Sequence, residues 1–186
     1  MNRRIFFILF SLLSGSIVAQ NYSAPMNSLF KVDMGVSGIG YGIEAPLGHK
    51  LLLGFDAGLG GGYEISMNHF VYKWNLISPA LYISARGELI YNRDERAAKD
   101  RRIDNNTGNL FGFRIKYASR DICGQETNYS TLLINAHWGI KRAIGRAWIF
   151  STYIGICYAY DINYSEATLY PAFDLKFSYS IPLGHR

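Results

Sequence analysis

Between residues 171 and 181 the chain alternates without a break. Pro171, Phe173, Leu175, Phe177, Tyr179 and Ile181 form one set, and Ala172, Asp174, Lys176, Ser178 and Ser180 form the other. A period of two predicts a β-strand whose two faces meet different surroundings. Seven earlier segments carry the same pattern. The first sets Phe30, Val32, Met34 and Val36 against Leu29, Lys31, Asp33 and Gly35, and the second sets Tyr41, Ile43, Ala45 and Leu47 against Gly42, Glu44 and Pro46. The third is read as one strand over 51–65, with Phe55, Leu59, Tyr63 and Ile65 opposite Leu52, Asp56, Gly58, Gly60, Gly62 and Glu64. The fourth runs over 77–91, the fifth over 110–117, the sixth over 131–141 and the seventh over 148–161. Most approach the roughly 9–11 residues that a tilted membrane strand needs. They predict an all-β chain folded as a closed, eight-stranded, antiparallel up-and-down transmembrane β-barrel.

An even strand number puts both chain ends on one side of such a barrel, the periplasmic side. The connections near 37–40, 66–75, 119–130 and 162–170 then face outward. Those near 48–50, 92–108 and 142–146 face the periplasm. Pro46-Leu47-Gly48-His49-Lys50 and Pro182-Leu183-Gly184-His185-Arg186 repeat a turn, and Ile144-Gly145-Arg146 resembles it. This topology brings all three to one end. Aromatic residues divide between two rims, as girdles at a membrane interface do. Tyr63, Tyr117, Tyr158, Tyr160 and Tyr170 mark one rim, and Tyr91, Trp138, Trp148 and Tyr179 mark the other.

Alternation by itself also fits a lipocalin-like barrel with its apolar face inside. The charged face favours the opposite arrangement. It carries Lys31, Asp33, Glu44, Asp56, Glu64, Arg86, Glu88, Arg114, Lys116, Lys141, Asp161, Asp174 and Lys176. With six basic and seven acidic groups, this set is close to balanced and suits a narrow interior where charges must pair. His137 points the same way, beside Asn135. Glycines on the inner face of the third segment leave room for long side chains opposite.

The N-terminus changes the picture of compartment. Arg3 and Arg4 precede an apolar run over 5–13, and small residues follow up to Ala19. This is the pattern of a secretory signal peptide. The predicted organisation is a signal peptide at 1–19, a short N-terminal segment at 20–28 and a barrel at 29–186. Loss of Arg3 and Arg4 lowers the formal charge from +5 to +3, which does not call for a nucleic-acid partner. Nothing else in the chain approaches the roughly 20 apolar residues of a membrane helix. Over residues 30–181 the architecture resembles the small eight-stranded outer-membrane barrels of the OmpA/OmpX type, in the broad porin-like superfamily. Many of these end on a terminal aromatic residue read by the assembly machinery, whereas here seven residues from Ser180 to Arg186 follow Tyr179. The resemblance implies a bacterial outer-membrane location and partners in outer-membrane lipid, lipopolysaccharide and the assembly machinery.

Candidate chemistry is sparse. Cys123 and Cys157 are compatible with one disulfide or with two unbonded thiols, since export permits a bridge. The residues 58–62 are glycine-rich but lack the Gly-Lys-Ser/Thr ending of a phosphate loop. His49, His69, His137 and His185 have no metal-ligand spacing, and neither metal nor cofactor is expected. His69, Glu64 and Ser66 are the residues that a lipid-modifying enzyme would use. The turn at 93–102 is unusually charged, with Arg93, Arg96, Lys99, Arg101 and Arg102 among three acidic residues. It reads either as a basic periplasmic foot for anionic envelope material or as a solvated hairpin end. The expected role is structural or surface-interacting, without catalytic residues and without an open pore. A narrow conduit for small or apolar solutes and a lipid-modifying enzyme are the alternatives, and the ligand is unknown.

Overall fold

The computed structural model of the chain describes residues 25–66, 69–73, 79–122 and 130–183. Residues 1–19, where a signal peptide is predicted, lie outside them. Eight strands close into an antiparallel barrel in the order β1-β10-β9-β8-β7-β6-β3-β2. They are β1 (Leu29–Gly35), β2 (Gly38–Pro46), β3 (Leu51–Gly60), β6 (Ala80–Ile90), β7 (Gly108–Asp121), β8 (Thr131–Ile144), β9 (Trp148–Asp161) and β10 (Ala167–Pro182). β1 closes the ring by pairing with β10, from Leu29 opposite Pro182 to Gly35 opposite Lys176. Closure leaves this sheet without a free edge, so each barrel strand is hydrogen-bonded on both sides.

The alternation survives in three dimensions as an inside and an outside. On β10, Asp174, Lys176, Ser178 and Ser180 are buried while Phe173, Phe177, Tyr179 and Ile181 are exposed. The first and last described residues, Pro25 and Leu183, lie with the turns at 47–50, 91–107 and 145–147, here called the terminal end. The two tight turns of that end hold Gly48 and Gly145 at positive φ, which other residues adopt only with strain.

The third segment is corrected. It is not one strand over 51–65. β3 stops at Gly60, and β4 (Gly62–Ser66) pairs with β5 (His69–Lys73) in a separate two-stranded hairpin. The break falls at Gly61, where an added Cβ would sit 2.7 Å from the Tyr72 ring. The hairpin tilts inward over the far end of the barrel. Tyr63 is consequently buried against Tyr82, Ala118, Leu133, Cys157 and Ala159, not displayed in an aromatic girdle. Glu64 belongs to this hairpin and not to the barrel wall. Tyr170 is corrected as well. It shares the inward parity of Ala172 and Asp174 and packs against the same interior cluster. The remaining rim aromatics lie on the outward parity. Trp138 donates to the Tyr91 hydroxyl at 3.1 Å, and Trp148 meets Tyr179 edge-on at 5.3 Å.

At the terminal end the long turn folds back under the barrel. It contains α1 (Arg93–Ala98) and a 3-10 turn at Asp104–Asn106. Asn106 donates from Nδ2 to the Asn27 carbonyl at 2.9 Å and accepts from the Asn27 N–H at 3.0 Å. Asn105 reaches the Arg146 carbonyl at 2.9 Å. Both asparagines sit at positive φ, a conformation that asparagine tolerates better than most residues. Above this turn Met26, Leu52, Ile90, Leu110 and Tyr153 form a second buried apolar cluster.

Candidate functional site

The interior between the two apolar clusters is a ladder of buried ion pairs. Glu44 of β2 is its centre. Its Oε1 accepts from Lys31 at 2.8 Å, Lys141 at 2.8 Å and Arg86 at 3.0 Å. Lys141 also reaches Glu88 at 2.8 Å, and Arg86 reaches Glu88 at 3.1 Å and pairs with Asp56. Lys176 holds Asp33 at 2.9 Å and approaches Asp56 at 3.9 Å, while Lys31 lies 4.0 Å from Asp33. These eight residues connect without interruption, and their four cations balance four carboxylates. Lys141 and Glu44 are both 0% exposed. At such burial each charge depends on its partners, because a lone one would lose several kcal/mol, roughly, of hydration.

Cross-strand register explains how so many long side chains fit. Glu44 and Arg86 both stand opposite Gly54, and Lys31 and Asp56 both stand opposite Gly42. Lys176 faces Gly35, and Glu88 and His137 both face Gly112. A Cβ on Gly54 would come within 2.7 Å of the Arg86 guanidinium. Inner-face glycines are therefore the space into which neighbouring charges extend.

A smaller group lies nearer the far end. Arg114 donates to Asp174 at 2.9 Å. Lys116 donates to the Tyr63 hydroxyl at 3.1 Å and stands over the Tyr82 ring at 4.4 Å. Around these residues is a cavity of about 380 Å³, roofed by the β4–β5 hairpin. The Tyr72 hydroxyl ties the hairpin down, donating to the Val36 carbonyl at 2.8 Å and accepting from the Gly61 N–H at 3.1 Å. Burial pushes the Tyr72 phenol up to about 12, so this clamp is neutral over the ordinary pH range.

Most of the predicted charge network is thus brought together, with exceptions. Asp161 stands at the far rim and caps the adjoining turn, accepting from the N–H groups of Asn163 at 2.7 Å and Tyr164 at 3.2 Å. His137 is inside, but it contacts Asn135 at 2.7 Å and the Tyr153 ring, not a carboxylate. Cys157 is a free thiol facing inward; Cys123 lies outside the described residues. The side chains of Glu64, Ser66 and His69 also lie outside them.

Part of the charged turn is fastened to the barrel end, while Lys99, Asp100, Arg101 and Arg102 stay exposed. Arg93 is 2% exposed and donates to the carbonyls of Ile103 at 3.1 Å and Pro25 at 3.2 Å. Arg96 binds the Arg102 carbonyl at 2.7 Å, and Arg102 binds that of Gly145 at 2.5 Å. Lys99 pairs with Glu95 at 2.6 Å one helical turn away and holds that carboxyl below its ordinary value. Lys50 pairs with Asp94 at 2.6 Å, joining α1 to the neighbouring turn. The guanidinium groups of Arg93, Arg96 and Arg102 fasten the plug, a role that a run of charges does not reveal because their acceptors are backbone carbonyls. Among inward residues, Leu29, Leu52, Leu110 and Leu133 interrupt the polar face in the sequence; all four are buried at the ends of the charged zone. Their apolarity on an otherwise polar face was the available signal for the end plugs.

No family model matches the chain, and no curated protein or solved structure matches it.

Replacing Glu44 by glutamine strips three buried cations of their shared carboxylate. It should destabilise the barrel by about 3–5 kcal/mol in urea unfolding followed by tryptophan fluorescence. Glu95→Gln, on the exposed face of α1, should leave the midpoint unchanged. Tyr72→Phe leaves Gly61 N–H and Val36 C=O without their bridge. It should loosen the hairpin by about 1–3 kcal/mol, seen as at least about fivefold faster amide exchange in β4–β5 with barrel strands unaffected.

Proposed function

We propose that the chain is an outer-membrane β-barrel protein of a bacterial envelope, with a structural or surface-interaction role and no open pore. One observation carries the membrane reading: the barrel is inside out relative to a water-soluble one. Tyr41, Phe55, Ile83, Ile154, Ile156 and Phe173 are each about 60% exposed on its outer wall, while the lysines and carboxylates of the wall are buried. A continuous apolar belt of this extent is far beyond the patches that soluble proteins tolerate. Lipid is the solvent in which such a belt is stable and in which a closed barrel satisfies every backbone group. The rim aromatics Tyr91, Trp138, Trp148 and Tyr179 at one end, with Tyr117, Tyr158 and Tyr160 at the other, suit its two interfaces.

The packed interior supports the closed-pore part. The ion-pair ladder fills the axis, the β4–β5 hairpin covers the far end, and the α1 turn covers the terminal end. This gives the conduit alternative no support. On this reading the terminal end is periplasmic, and the far end with its hairpin faces outward. The up-and-down arrangement agrees with the OmpA/OmpX type at the level of architecture.

Fractionation tests the location. The expected result is recovery in the outer membrane with heat-modifiable gel migration; recovery as a soluble periplasmic protein overturns the proposal. Phe55→Arg, near the middle of the belt, should cost about 2–4 kcal/mol of folding stability in lipid bilayers. Planar-bilayer recordings of the purified protein should show no ion-conducting steps.

A further inference from the structure

We propose that the cavity beneath the β4–β5 hairpin is a binding site for a small amphipathic monoanion, a monocarboxylate with an aromatic or short alkyl body. The charge count argues for the anion. The central ladder is balanced, but the far-end group holds Arg114 and Lys116 against the single carboxylate of Asp174. Lys116 is only 5% exposed, and among the described residues no carboxylate lies within 4.0 Å of it. Its polar partner is the Tyr63 hydroxyl, and the Tyr82 ring supplies a cation–π contact. Neither contact neutralises a charge, and an ammonium has further N–H donors to give. Arg114 spends one nitrogen on Asp174 and keeps 17% of its side chain exposed. Among the described residues, two basic side chains thus line one cavity against one carboxylate, a surplus that a single added carboxylate would balance.

The walls argue for the body of the ligand. Tyr63, Tyr72, Tyr170 and Leu133 give the cavity flat aromatic and aliphatic surfaces. Its volume of about 380 Å³ falls within the usual range for small-molecule sites, roughly 300–1,000 Å³. An inorganic phosphate would satisfy the cations but leave these walls without apolar contact, and it would bring more than one negative charge. A second apolar hollow, on the outer wall around Phe55 and Ile83, belongs to the proposed lipid-facing belt and is a separate feature.

The site is a property of the folded barrel and does not depend on the proposed location, so the tests of the two are independent. Calorimetric titration of the folded, full-length protein with benzoate, hexanoate, inorganic phosphate and ethylammonium decides it. Saturable binding of benzoate or hexanoate, with phosphate weaker and ethylammonium without effect, is expected. Lys116→Met should weaken it at least tenfold. This variant removes the surplus cation and strips no carboxylate of its partner, so its barrel should fold. Should it fail to fold by circular dichroism, Ala172→Trp, which fills the cavity from β10, should cause the same loss. Glu95→Gln should bind as the parent does. Absence of carboxylate binding, binding unchanged by the cavity substitutions, or a preference for phosphate or ethylammonium would each overturn the inference.

Discussion

The barrel is organised around one carboxylate. Glu44 accepts three cations, from β1, β6 and β8, across the axis of the sheet. In a narrow interior a charge cannot be left to water, so each of those cations fixes the position of another strand relative to β2. Through Lys31 and Arg86 the linkage extends to Asp33, Asp56 and Glu88, and through Lys176 it reaches β10. Backbone hydrogen bonds join each strand to its neighbours only. The ladder joins strands that never touch in the sheet, and so ties the wall together through the middle.

Two other features follow from that requirement. Long side chains from many strands can meet on one axis only if the positions opposite them are empty. Gly35, Gly42, Gly54 and Gly112 supply that space in register. The ladder must also be kept from bulk water if its pairs are to remain strong. The apolar cluster around Leu52, Ile90 and Leu110 does this at one end, and the cluster around Tyr63 and Leu133 does it at the other. The hairpin and the α1 turn are the covers of these clusters. Seen this way, the turn arginines and Tyr72 serve the ladder at a distance, by fastening the covers to backbone carbonyls.

The two faces of the wall obey opposite rules, and this links interior to proposed location. Placing the charges inside leaves the apolar set outside, which is the side that faces lipid under the proposed location. The far-end group departs from the balance found elsewhere. Arg114 and Lys116 share one carboxylate, at the place where the interior has a cavity, and the protein's own packing offers no second anion there among the described residues.

Strand identity and facing could be read from the chain because a period of two is local: Phe173, Leu175 and Phe177 must lie on one side whatever else the chain does. The same parity already placed Lys31, Glu44, Arg86 and Lys176 together on the opposite face, and it would have placed Tyr170 there too. Which of these charges meet was not legible. Lys141 and Glu44 are far apart in sequence, and only ring closure and strand register bring them to 2.8 Å. The break at Gly61 was hidden for a similar reason. Alternation continues through Tyr63, but the tertiary contact with Tyr72 turns that residue inward. The anchoring of Arg93, Arg96 and Arg102 in the turn at 93–102 was hidden because composition reports donors and not their acceptors. Sequence alone therefore determined the eight wall strands and the inward or outward parity of their residues, since these depend on residue spacing along one backbone. Tertiary structure decided the pairing of charges, the two end covers and the cavity with its surplus cation, since these depend on distances between residues that only the closed barrel brings together.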